Sequence, residues 1–78
     1  MSQTMNNTPL PYRTVARILR RNGFRPIPKS GSSHEKWVRV DGENLVVRMN
    51  GMNRMIWRRL VKEHNLQDVE GTDGRKYY

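Results

Sequence analysis

A chain of 78 residues with no cysteine and a mean hydropathy of −0.92 has room for one small domain, and excludes a disulfide framework or a thiolate metal site. Its longest apolar run, Leu45-Val46-Val47, is far too short to cross a bilayer, and nothing near Met1 looks like a signal peptide, so a cytoplasmic protein is expected. Fifteen Lys and Arg against seven Asp and Glu give a net charge of +8, which points to a polyanionic partner, either nucleic acid or an acidic protein.

In chain order, residues 1–10 are polar and aperiodic up to Thr8-Pro9-Leu10-Pro11, and are expected to be a disordered leader to a helix start. Over residues 11–22 the apolar Tyr12, Val15, Ile18 and Leu19 recur at helical spacing. Arg13, Arg17, Arg20 and Arg21 collect on the opposite face with no acid between them, an arrangement that suits phosphate binding better than a neutral solvated face. Gly23 is placed to end the helix. Phe24-Arg25-Pro26-Ile27-Pro28 is extended, and its prolines confine it to a sheet edge.

Lys29-Ser30-Gly31-Ser32-Ser33 then forms a hydroxyl-rich loop that delivers His34 to the start of a strand. Residues 34–40 and 44–48 flank Asp41-Gly42 as a hairpin. A turn loop of two or four residues would put Val38, Val40, Leu45 and Val47 on the core face, and Trp37, Arg39, Val46 and Arg48 on the other. Trp37 between cations is suited either to packing or to stacking on a base. Glu35 points away from His34, which argues against a serine–histidine–acid arrangement. Asn53 is suited to cap a second helix over residues 53–64. Its apolar arc is Met52, Ile56, Trp57, Leu60 and Val61, and Arg54, Arg58 and Lys62 stand opposite. His64 at its end reads as a packed residue that complements the helix dipole. Asn65 and Leu66 read as the stop, and residues 67–78 as a mobile tail. The expected fold is therefore α+β, a single α-β-β-β-α domain over residues 11–66, with two helices on one face of a three-stranded antiparallel sheet.

The order and spacing of three short pieces resemble the HicA-type toxins. They are the helix ending Ile18-Leu19-Arg20-Arg21-Asn22-Gly23-Phe24, the segment Gly31-Ser32-Ser33-His34 leading into the hairpin, and the closing helix from Trp57 to Leu66. The resemblance spans about residues 12–66 and implies a double-stranded-RNA-binding-like fold that cleaves mRNA without a metal or other cofactor. It also implies an acidic HicB-type antitoxin as partner and His34 as the catalytic residue. One departure is that Arg48-Met49-Asn50-Gly51 stands where the family often has a proline and a second histidine. Gly31, Ser32, Ser33, Lys29 and Lys36 would hold the phosphate at this site, with Arg17 and Arg58 binding RNA from the helices. Two readings compete with a ribonuclease. One is a binding module of the same fold that only contacts phosphates, and the other is a basic adaptor that docks an acidic protein.

Overall fold

The computed structural model describes residues 8–28, 31–72 and 74. Helix α1 (Tyr12–Arg21) is followed by strands β1 (Phe24–Ile27), β2 (His34–Arg39) and β3 (Asn44–Arg48), and by helix α2 (Arg54–Glu63). The three strands form one antiparallel sheet in the order β1-β2-β3. This is the α-β-β-β-α fold that the two helical periods and the hairpin signal predict.

Helix α1 buries Val15, Ala16, Ile18 and Leu19 and leaves Arg13, Arg17, Arg20 and Arg21 exposed. Its N-cap, Pro11, makes no side-chain bond, so packing of the apolar face has to hold this helix. Helix α2 is better capped. The Asn53 side-chain oxygen accepts from the Met55 and Ile56 amides at 2.9 and 3.1 Å. At its other end Leu66 N–H bonds Val61 O at 3.0 Å and Asn65 N–H bonds Lys62 O at 3.4 Å, with Asn65 left-handed at φ 51°. That pair of bonds is a Schellman stop, and Leu66 buries itself against the core just beyond it.

The hairpin corrects the expected strand faces. Arg39 N–H bonds Glu43 O at 2.8 Å and Gly42 N–H bonds Arg39 O at 2.9 Å, enclosing a loop of Val40, Asp41 and Gly42. An odd loop inverts the pairing that an even one would give, so Trp37 lies opposite Leu45 and Val38 opposite Asn44. Gly42, at φ 93°, supplies the left-handed third residue that this loop type needs. Trp37, Leu45 and Val47 therefore enter the core, and Val40 is fully exposed at the hairpin tip. The Asp41 carboxylate is held below the usual carboxylate range by the Glu43 amide and by Arg39, whose Nε lies 3.2 Å away.

Both helices lie on the Trp37 face. From α1, Tyr12 donates to Glu35 and the Arg20 guanidinium sits 5.3 Å from the Trp37 ring centre. Beyond α2, His64 packs edge-on to Phe24 at 5.9 Å and bonds Glu43 at 2.8 Å. His64 is thus a packed residue, as its place in the sequence suggests. Within the α2 arc Trp57 and Val61 are buried, but Ile56 is exposed.

The domain is longer than residues 11–66. Leu10, expected in the leader, is buried and exchanges two 2.9 Å backbone bonds with Met52. Val69, Thr72 and Gly74, expected in a mobile tail, are buried as well. Thr72 Oγ1 accepts from the Trp57 indole N–H at 3.0 Å and donates to Val69 O at 2.5 Å. This closing segment has no helical or strand period, so nothing in its pattern announces that it packs. The remaining leader and tail residues, 1–7, 73 and 75–78, lie outside the described residues.

Gly74 gives a direct test of that packing. A Cβ there would come within 2.6 Å of Val61 Cγ2 and 2.7 Å of Trp57 Nε1. Gly74→Ala is expected to cost about 1–3 kcal/mol through overpacking. A lowered midpoint in urea unfolding would show it, and an unchanged midpoint would mean that residue 74 does not pack on α2.

Candidate functional site

The sheet side away from the helices is bare, and strand pairing fixes what it carries. Ile27, Lys36 and Val46 form one cross-strand row; Arg25, Val38 and Asn44 form a second; His34 and Arg48 form a third. None of these eight residues is acidic, and all but the half-buried Val38 are exposed. Ile27 and Val46 stand on either side of Lys36 in the middle of the face, with Arg25, Arg48 and the His34 imidazole in the other rows.

His34 is exposed at the start of β2, directly across from Arg48, with Lys36 two residues on along the same face. The loop before it turns at Gly31, φ 81°, and the Ser32 hydroxyl oxygen accepts from the His34 backbone N–H at 3.1 Å. Ser33 is exposed, and its carbonyl accepts from the Met49 amide at 2.8 Å. The serines thus tie the loop to the start of β2 and the end of β3, at the end of that pair away from the hairpin tip. Lys29 lies outside the described residues.

Glu35 is on the opposite side of β2 from His34, and its Oε1 accepts from Tyr12 Oη and from Trp37 Nε1, the latter at 2.9 Å. Its task there is to satisfy two polar groups at the core edge. Burial, followed by the bond to Glu35, pushes the Tyr12 pKa up to about 12. Because the folded value is raised, the associated stability is fully present below the ordinary tyrosine pKa of about 10 and is lost as pH rises toward about 12. Ultraviolet titration of wild type and Tyr12→Phe should therefore differ by one late-ionising phenol; a late phenol that persists in the variant would exclude Tyr12.

The sequence-derived site residues fall in two places. Gly31, Ser32, Ser33, His34 and Lys36 gather at the loop and the bare sheet face, whereas Arg17 and Arg58 are exposed on the helices that cover the other face. A single flat ligand surface does not reach both sets. Arg48 was missed as the neighbour of His34 because an even turn puts it on the Trp37 side, and Arg25 because the sequence does not fix the register of β1 on β2. Counting a three-residue loop through Asp41-Gly42 would have found Arg48. Trp37 is fully buried, so it offers no ring face to a base. The second histidine, His64, packs on the helix-covered side and does not join His34.

Among the described residues no cluster of three or more His, Cys, Asp or Glu could hold a metal ion, and no helix is long and apolar enough to cross a membrane. Comparison of the chain with protein-family models, curated proteins and solved structures finds no match.

Proposed function

We propose that this chain is a HicA-like mRNA interferase, a cytoplasmic endoribonuclease working without a metal, in which His34 moves the proton and an acidic HicB-type antitoxin holds it in check. The observation that carries the reading is the placement of the exposed His34 across from Arg48, beside Lys36, on a sheet face that bears no carboxylate. A phosphodiester meets cations there and no competing anion.

The chemistry follows from what those groups can do. The neighbouring 2′-hydroxyl of RNA attacks phosphorus, its proton leaves, and the 5′-oxygen departs with a proton, giving a cyclic phosphate and a free 5′-hydroxyl. An imidazole suits either proton transfer because its ordinary pKa is near neutrality. Arg48 and Lys36 supply charge for the crowded phosphorane, and Arg is suited to grip two of its oxygens. Water takes the other proton transfer, since His64 is on the far side of the sheet, so turnover is slow. Arg17 and Arg58 bind flanking phosphates along an RNA that wraps the domain edge.

The binding module is the reading to beat, and two double variants address it. RNA affinity should fall steeply with salt, because each phosphate neutralised releases condensed counterion. Arg25→Ala with Arg48→Ala, and separately Arg17→Ala with Arg58→Ala, should each reduce the log–log salt slope by about 1–2. Only the sheet-face pair should also slow cleavage at saturating RNA, measured with chelator present. Salt-independent affinity would replace this reading by the protein adaptor, and salt-dependent binding with no cleavage by the binding module.

A further inference from the structure

The two edges of the sheet are unlike. Arg39 N–H bonds Glu43 O and Met49 N–H bonds Ser33 O, so the odd-numbered residues of β2 bond toward β3 and the even-numbered ones toward β1. On β1, Arg25 and Ile27 then bond inward, leaving Phe24 and Pro26 to face out, with Pro28 one step beyond. Two of those three positions have no N–H to offer, so that edge is closed to a further strand. On β3 the outward residues are Asn44, Val46 and Arg48, and each has its N–H. Arg48 O turns back to the Gly51 amide at 3.4 Å, but the N–H groups of all three and the carbonyls of Asn44 and Val46 have no backbone partner among the described residues. This edge has no proline and no bulge, and its central residue, Val46, is 49% exposed.

We propose that β3 is a docking edge that takes an extended acidic segment of another protein as a fourth strand. Backbone bonds to Asn44, Val46 and Arg48 would supply the affinity, and the side chains on the bare face the selection. A strand laid there sets one residue beside Val46, which favours an apolar side chain. The residues two places before and after it come beside Asn44 and Arg48, in line with Val38 and His34 of the neighbouring strand, while the central one is in line with Lys36. A carboxylate beside Arg48 meets a cation with His34 next in line, one beside Asn44 meets an amide donor, and neither meets an acid. A second copy of this chain fits less well, since each copy carries +8 and brings its own Arg48 to the seam. The docking rests on the sheet edge alone and holds whether or not the protein cuts RNA.

The test uses a blocked seven-residue peptide with valine at its centre, glutamate two places to either side, and threonine elsewhere. Added to the isotope-labelled full chain, it should shift the amide resonances of Asn44, Val46 and Arg48 and slow their hydrogen exchange, leaving β1 unaffected. Methylating the alternate peptide nitrogens that face β3 should weaken binding about 10-fold or more, as expected for losing two or three backbone bonds. Val46→Pro should do the same from the other side, because the N–H it removes faces outward; the methylated peptide tests the proposal on wild type even if that variant unfolds. Equal binding of the methylated peptide, or of one with lysine for glutamate, would overturn the proposal. So would protection of the same amides that grows with protein concentration and no peptide, which would make the occupant a second copy.

Discussion

His34→Ala is expected to cleave RNA about 10²–10⁴-fold more slowly than wild type, the usual contribution of one positioned acid or base. RNA affinity should fall far less, because Arg25, Lys36 and Arg48 remain on the same face. His34→Arg separates the two roles of the side chain. It keeps a cation for the phosphate but does not exchange a proton near neutral pH, so it should bind and not cut. The fold should withstand either change, since the ring is exposed and only its backbone N–H serves the Ser32 turn. Single-turnover cleavage and affinity measured on the same preparations decide it. A wild type that does not cut, or a His34→Arg variant that cuts normally, ends the catalytic assignment.

Trp37→Ala is expected to remove a large share of the protein's stability. The side chain is wholly buried in the central strand, between Arg20 above its ring and Glu35 at its indole nitrogen. Truncating a buried aromatic of this size costs about 3–5 kcal/mol. A domain of this length has a total of only about 4–12 kcal/mol. Trp37→Phe should lie between, keeping a ring in the core but leaving Glu35 with one donor fewer. Denaturant unfolding followed by circular dichroism measures both. If Trp37→Ala keeps the wild-type midpoint and instead loses RNA affinity, the residue stacks on bases and the packing described above is wrong.

The sequence declares its helices because the period of Val15, Ile18 and Leu19, and of Trp57 and Val61, is long enough to count. The proline-guarded edge and the opposed sides of His34 and Glu35 were legible for the same reason, since each depends only on local geometry. The core face of the hairpin was not. Val38 and Trp37 are both suited to a core, and alternation says only that they part company. Which goes inside depends on the number of residues between the strands, and Asp41-Gly42 is compatible with more than one number. The neighbours of His34 depended on that same choice. The closing segment was illegible for a different cause: Val69 is buried in the core and Thr72 and Gly74 meet α2 one residue at a time, and isolated contacts leave no period to read.

The three-residue hairpin tip has a consequence for how this chain can vary. Val40 is bathed in solvent, and most replacements there change little beyond its own contact with water. Removing it is another matter. With the count reduced to two, one strand must slip a place, turning Trp37 toward water and His34 toward the interior, or the loop must stretch to keep the old pairs. The tip therefore works as a reading frame does: it is indifferent to spelling and strict about number. Descendants of this chain should show free substitution at position 40 and almost no insertions or deletions across 40–42, although few places in the fold are more exposed.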